Sequence, residues 1–100
     1  MTDVFIAGVG MTKFGRHLDK SYKELTAEAV QMALADAGAG TADVGEAFFA
    51  SCVIGFLQDQ HMIPGQVALR AIGFEGIPIF NVESACASAT SSIYLAAQAI

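Results

Sequence analysis

Cys86 is the residue of this chain whose type and position best suit covalent chemistry. It stands between an apolar, β-like segment, Ile77 to Val82, and a helical pattern that starts among small residues. The first amides of a helix have no intrahelical partner and carry about half a positive charge, so they stabilise a thiolate more than a thiol. The small neighbours Ala85, Ala87 and Ser88 leave room for a carbonyl group to approach the sulfur. The pattern predicts a nucleophilic cysteine, and the alternative is a buried cysteine that only fills space.

The second cysteine and the first histidine are weaker candidates. Cys52 lies inside the apolar segment Glu46 to Gly55, where no helix amides would stabilise a thiolate, so we predict a packing role. His17 falls in a polar loop without Cys, Asp or His at metal-ligand spacing, so no metal site is predicted.

Three apolar segments predict the strands that position the cysteine. The run Asp3 to Gly10 is rich in β-branched residues and predicts a buried strand, and Glu46 to Gly55 and Ile77 to Val82 predict two more. Gly8 and Gly10 match only part of the motif of a dinucleotide-binding loop, because the third glycine is missing at the required spacing. No dinucleotide-binding site is therefore predicted.

Helices are predicted between these strands. Ser21 and Glu24 form a capping box ahead of an apolar helical pattern that runs to Ala37, where Gly38 is placed to end the helix. Residues 56–62 read as a loop. A second helix is expected from Pro64 and is stopped by Gly73. Strands alternating with helices predict an α/β sheet with helices packed on it.

Composition excludes several classes of function. The net charge is −5 and the five basic residues are scattered, so the chain lacks the basic cluster that nucleic-acid binding requires. No apolar run is long enough to span a membrane, and no signal peptide is recognisable. Two cysteines without a secretory signal predict reduced thiols in the cytoplasm. A hydrophobic content of 54% with 15% charged residues is apolar for a small domain, so we expect the protein to continue beyond residue 100.

Three motifs resemble one known family. The segments VFIAGVGMTKFGR, GFLQDQHMIPGQVALRAIG and NVESACASATSS are similar to the thiolase superfamily, in particular to thiolases of the sterol carrier protein X type, often called acetyl-CoA acetyltransferases. The resemblance covers essentially all 100 residues. Ala89 departs from it, since the family more usually has Gly there. The resemblance implies a five-layer α/β/α/β/α thiolase-like fold, of which this chain is most of the first half-domain.

The same resemblance implies a reaction. Acyl-CoA or 3-ketoacyl-CoA would be the substrate, with coenzyme A as a substrate and no tightly bound cofactor. Cys86 would form an acyl thioester, and its backbone amide would stabilise the oxyanion. Thiolases take their catalytic histidine and second cysteine from later in the chain, so His61 is predicted to be a loop or subunit-contact residue rather than the base for Cys86.

The oligomeric state is also implied by the resemblance, whereas the location is inferred from the cysteines and the lack of a recognisable signal peptide. A homodimer or homotetramer is expected, in which the strand before the cysteine pairs across the subunit boundary. The expected location is cytoplasmic, or peroxisomal if the source is eukaryotic and the true C-terminus carries that address.

Three rival functions stay open. One is a condensing enzyme (ketosynthase) of the same superfamily, although the sequence CASA fits its usual motif poorly. Another is a thiolase-like aldolase or scaffold subunit that works with an OB-fold partner protein. The third is a non-enzymatic interaction domain that docks through the apolar segment Phe48 to Leu57.

The polar residues before Cys86 are expected to stabilise the turn, and one of them also bears on the charge of the thiol. Asn81, Glu83 and Ser84 are expected to satisfy backbone amides around a sharp turn. The carboxylate of Glu83 would oppose formation of a neighbouring thiolate unless it is hydrogen-bonded.

Overall fold

Two parallel strands and four α-helices make up residues 2–100, the part of the chain that the computed structural model describes. The order is α1 (Tyr22–Ala37), a 3₁₀ turn (Thr41–Asp43), β1 (Ala47–Ala50), α2 (Ile54–Gln58), α3 (Pro64–Arg70), β2 (Ile79–Val82) and α4 (Ser88–Ala99). Strand β1 pairs in parallel with β2, so that Ala47 aligns with Ile79 and Ala50 with Val82. Parallel strands need a crossover connection, and α2 and α3 supply it here.

Helices cover both faces of this small sheet. Helix α4 packs on β1 and β2, while α3 lies between the sheet and α1. Successive residues of a strand point to opposite faces. Phe48 of β1 therefore stacks on Phe80 of β2, with ring centres 5.3 Å apart, on one face. Phe49 points to the other face and meets the ring of Tyr22 edge to face at 6.2 Å.

The core lies where α1, α3 and the following turn meet. Its buried apolar residues are Tyr22, Ala68, Leu69 and Phe74. The hydroxyl of Tyr22 donates a hydrogen bond to the carbonyl oxygen of Pro64, 3.2 Å away. Burial raises the pKa of the Tyr22 phenol above its ordinary value, because the charged form would lose hydration. Tyr22 therefore joins α1 to the start of α3 as a neutral donor.

Helix α1 confirms the sequence prediction at both ends. The Ser21 hydroxyl accepts a hydrogen bond from the amide of Glu24 at 3.3 Å, and the Glu24 carboxylate accepts one in return from the Ser21 amide. Gly38 ends the helix in the left-handed conformation, with φ of 66°. The local chemistry of caps fixes both boundaries.

The predicted strand Asp3 to Gly10 is wrong, because this segment lies against α1 and forms no strand within residues 2–100. Gly8 and Gly10 pass so close to α1 that a Cβ at either would overlap the helix backbone. The amide of Val9 donates to the Asp36 carboxylate at 3.0 Å, while Phe5 remains 82% exposed. A strand needs a neighbouring strand for its backbone hydrogen bonds, and in the described residues β1 and β2 pair only with each other.

The segment Glu46 to Gly55 also differs from its prediction. Strand β1 ends at Ala50, and helix α2 begins at Ile54, in a region expected to be strand and loop. Cys52 lies between the two elements and is exposed, so the predicted packing role is wrong. A short apolar run fits a strand or a helix equally well by periodicity. The start of α3 at Pro64 is confirmed, and Gly73, with φ of 105°, follows its end.

The contact between Gly10 and α1 gives a test of the fold. A methyl group in Gly10→Ala would overlap the Ala29 carbonyl oxygen and lie 2.7 Å from the Ala33 nitrogen. We expect this substitution to lower the free energy of unfolding by about 1–3 kcal/mol, as overpacking does. Gly15→Ala is the matched control, because nothing lies within 4 Å of its added carbon. Denaturant unfolding of the two variants that shows equal stability would contradict this packing.

Candidate active site

A sharp corner connects β2 to α4 and carries Cys86. Strand β2 ends at Val82 and α4 begins at Ser88. Ala85 has φ of 51°, the left-handed conformation that L-residues other than Asn and Asp seldom adopt. Cys86 comes directly after it and is exposed. The chain thus reverses at Ala85 and presents the next side chain on the surface.

Side-chain hydrogen bonds hold this corner in place. The Glu83 carboxylate accepts a hydrogen bond from the amide of Ala85 at 2.6 Å. The hydroxyl of Ser88 accepts from the amide of Ser84 at 2.9 Å and donates to the Ala85 carbonyl oxygen at 2.7 Å. Ser91 donates to the hydroxyl of Ser84 at 3.1 Å. Of the polar residues before the cysteine, Glu83 therefore satisfies a turn amide as predicted, and its carboxylate is hydrogen-bonded.

Backbone hydrogen bonds complete the corner. The amide of Ala87 donates to the Ser84 carbonyl oxygen at 3.0 Å, and that of Ser88 to the Ala85 carbonyl oxygen at 3.2 Å. Ala87 is the residue that flanks the helix, and its side chain caps nothing. Cys86 accordingly lies beside the first turn of α4, one residue before the cap position, and not inside the helix.

Asn81 hydrogen-bonds the start of α3 and not, as was expected, the turn before Cys86. Its side-chain oxygen accepts from the amide of Gly65 at 2.7 Å, and its side-chain nitrogen donates to Gln66 at 2.7 Å. Gln66 in turn donates to the carbonyl oxygen of Ile79 at 2.8 Å. Asn81 thus joins β2 to the start of α3 and fixes the strand that leads to the corner. Sequence reasoning missed Gln66, because a lone glutamine on a helix carries no recognisable signal.

Cys52 and His61 line the same cleft, which has a volume of about 290 Å³. Its wall also includes Pro64 and the corner residue Glu83. The His61 ring nitrogen Nε2 lies 2.8 Å from the Asp59 carboxylate, and both side chains are largely exposed. Within residues 2–100, the residues that line this cleft do not include Cys86.

Two further observations concern metal-binding groups and membrane-spanning helices. Among residues 2–100, no group of three or more His, Cys, Asp and Glu side chains is arranged to hold a metal ion. No helix in the same range is both long and apolar enough to cross a membrane.

The fold and the corner together define an α/β domain that presents a cysteine between a parallel strand and a helix. The family model of the thiolase N-terminal domain matches residues 4–100. The chain therefore belongs to the thiolase family, and the resemblance seen in the sequence motifs is confirmed.

Several relatives are similar along nearly the whole chain. A non-specific lipid-transfer protein-like 2 of Caenorhabditis elegans is 41% identical over 97% of the chain, and chicken (Gallus gallus) sterol carrier protein 2 is 36% identical over 97%. An acetyl-CoA acetyltransferase of Methanocaldococcus jannaschii is 36% identical over 93%. The chain covers 23%, 17% and 24% of the length of these three proteins, in the same order.

A solved structure supports the fold. The 3-oxoacyl-[acyl-carrier-protein] synthase III of Aquifex aeolicus superposes with a TM-score of 0.66 over 78% of this chain and 24% of its own, at 16% identity. At 16% sequence identity, this structural similarity is evidence for the fold alone. With the family match, it confirms the predicted α/β, thiolase-like fold.

The contact of His61 with Asp59, rather than with Cys86, gives a second test. We expect His61→Ala to leave acylation of Cys86 by acetyl-CoA within about twofold of the unaltered protein, as surface substitutions do. Asp59→Ala, which removes the partner of the histidine, is expected to behave the same way. The measurement is the rate of acyl transfer to the full-length protein. A fall of about a hundredfold for His61→Ala alone would identify it as the general base and contradict this reading.

Proposed function

We propose that this chain supplies the nucleophile of a thiolase-type acyltransferase that acts on acyl-CoA thioesters. The observation that carries the proposal is Cys86, exposed directly after a left-handed residue at the corner between β2 and α4. Membership of the thiolase family supports the class of reaction. The printed name of the Methanocaldococcus relative, an acetyl-CoA acetyltransferase, supports acetyl-CoA as one substrate.

The proposed reaction has two half-reactions. The Cys86 thiolate attacks the 3-keto carbonyl of a 3-ketoacyl-CoA and forms a carbon–sulfur bond. The carbon–carbon bond next to that carbonyl then breaks, and the departing carbanion takes a proton and leaves as acetyl-CoA. The thiol of a second coenzyme A then takes the acyl group and returns Cys86 as a thiolate. A thiolate suits both steps, since it is a strong nucleophile and a good leaving group.

The backbone amide of Cys86 is proposed to stabilise the oxyanion formed in each step. The flanking amides of Ser84, Ala85, Ala87 and Ser88 all donate hydrogen bonds within the corner. Cys86 forms an isolated β-bridge with Ser84, and none of the turn and loop hydrogen bonds found in residues 2–100 uses its amide. A backbone amide held in place by its neighbours can stabilise developing negative charge.

Proton transfer requires groups beyond the corner. His61 contacts the Asp59 carboxylate, and the described residues that line its cleft do not include Cys86. The leaving carbanion and the incoming thiol need an acid and a base. We propose that these groups are a histidine and a second cysteine supplied by the rest of the protein, as the family resemblance implies.

Subunit pairing is proposed through β2. Within the described residues β1 and β2 pair only with each other. The choice of β2 rests on the family resemblance, which implies that the strand before the cysteine pairs across the subunit boundary. Pairing of two copies there would give the expected homodimer, or a homotetramer built from it.

Trapping of the acyl-enzyme tests the proposed function. Full-length protein is mixed with acetyl-CoA, quenched in acid and digested for mass spectrometry. We expect one acetyl group on Cys86, and Cys86→Ala to lose thiolytic activity by about a thousandfold or more. Cys52→Ala is the control, because it removes the other exposed thiol and should retain activity.

Other outcomes of this experiment favour the rival functions. Folded protein that takes up no acyl group on Cys86 would instead support an aldolase or scaffold subunit. Equal acetylation of Cys52 and Cys86 would show that the corner confers no special reactivity, and it would contradict the proposal.

A further inference from the structure

Ser88 makes two hydrogen bonds that point back into the corner. It is 6% exposed, and its hydroxyl accepts from the Ser84 amide at 2.9 Å and donates to the Ala85 carbonyl oxygen at 2.7 Å. Both capacities of the hydroxyl are thus used on the two residues before Cys86.

These bonds are not those of a helix cap. A capping side chain accepts from an amide of the first helical turn, two or three residues further along the chain. Ser88 is already the first residue of α4, and its partners, Ser84 and Ala85, precede the helix. The Ser88 hydroxyl therefore hydrogen-bonds the corner and not the amides of the first turn of α4.

The geometry of the corner explains what these bonds hold. Ala85 has φ of 51°, and without other contacts an alanine favours negative φ. The Ser88 hydroxyl binds the amide of Ser84, one residue before Ala85, and the carbonyl oxygen of Ala85 itself, so the two bonds restrain the turn on either side of the left-handed residue. The Ala85 carbonyl oxygen also accepts from the backbone amide of Ser88 at 3.2 Å. The Glu83 carboxylate, which accepts from the Ala85 amide at 2.6 Å, is a further restraint on the same residue.

We propose that Ser88 is a positioning residue for Cys86: its hydroxyl keeps Ala85 left-handed and thereby keeps the thiol on the surface of the corner. As a role in catalysis, this inference rests on the proposed function of Cys86. Without the hydroxyl, Ala85 returns to negative φ for part of the time, and the thiol and the amide of Cys86 turn away together.

The same helix provides a matched control. Ser92 lies one turn beyond Ser88 and is equally buried, with 7% of its surface exposed. Within the described residues its hydroxyl oxygen has no hydrogen-bond partner. Ser88→Ala and Ser92→Ala therefore remove the same atom from similar surroundings, but only the first removes hydrogen bonds to the corner.

The experiment measures how fast iodoacetamide alkylates Cys86 relative to Cys52 in the folded, full-length protein, by peptide mass spectrometry. Both thiols are exposed, so Cys52 is an internal reference for reagent and pH. We expect Ser88→Ala to lower the ratio about tenfold, from the loss of two hydrogen bonds, and Ser92→Ala to leave it unchanged. Ser88→Thr, which keeps a hydroxyl, should restore most of the ratio.

A steady-state assay separates positioning from a purely structural role. Ser88→Ala should lower kcat by a similar factor with little change in KM for acyl-CoA, because the acyl-CoA is still bound while the sulfur is misplaced. Ala85→Gly in the Ser88→Ala background should recover part of the loss, since glycine adopts positive φ without penalty. If Ser88→Ala does not fold, Ser88→Cys takes its place, because a thiol is only a weak donor and acceptor and should lower the ratio by a smaller factor. Fragmentation of the peptide distinguishes alkylation of Cys86 from that of the added thiol.

The inference and the proposed function fail in different ways. An unchanged alkylation ratio in folded Ser88→Ala, or in Ser88→Cys where that variant replaces it, would overturn the role of Ser88 even if Cys86 is acylated. An equal fall of the ratio in Ser88→Ala and Ser92→Ala would overturn it too. A lowered ratio in Ser88→Ala alone, with no acylation of Cys86 in the unaltered protein, would support the clamp and overturn only the proposed acyl transfer.

Discussion

The left-handed conformation of Ala85 is the constraint on which the site depends. A strand and a helix that follow one another closely need a sharp reversal, and here an alanine makes it against its own preference. That conformation persists because Glu83 and Ser88 hydrogen-bond the backbone on both sides of it. The result is an exposed thiol close to the backbone amide of the same residue, a combination that suits acyl transfer to sulfur.

The rest of the chain fixes the two elements that meet at this corner. Asn81 ties β2 to the start of α3, and Gly65 lets α3 approach the sheet so closely that a Cβ there would lie 2.6 Å from the Cβ of Phe49. Helix α1 packs on α3 and is held to it by the Tyr22 hydroxyl. The position of the cysteine is therefore set through a series of direct contacts from α1 through α3 to β2.

The sequence predicted the parts of this structure that local chemistry determines. The capping box of Ser21 and Glu24, the stop at Gly38 and the start of α3 at Pro64 depend on residues close in the chain, and all three are confirmed. The corner at Cys86 was recognised for the same reason. The hydrogen bonds of Ser88 could not be predicted, because a serine at the start of a helix predicts a cap. The structure shows that its hydroxyl instead bonds Ser84 and Ala85, which precede the helix.

The wrong predictions concern segments whose structure depends on contacts with residues far away in the sequence. Residues 3–10 have the composition of a strand, but among the described residues no strand pairs with them and they lie along α1 instead. The apolar run after β1 fits strand and helix alike, and tertiary packing gives α2. Cys52 was placed in the core because of that same run, and it lies exposed at the junction.

A crystal structure of the full-length protein, soaked briefly with acetyl-CoA, would show whether the corner at Ala85 presents a reactive thiol. We expect an acetyl thioester on Cys86 Sγ, with its carbonyl oxygen about 3 Å from the Cys86 amide nitrogen and Ala85 still at positive φ. An unmodified Cys86 beside an Ala85 at negative φ, or an acetyl group on Cys52 alone, would contradict it.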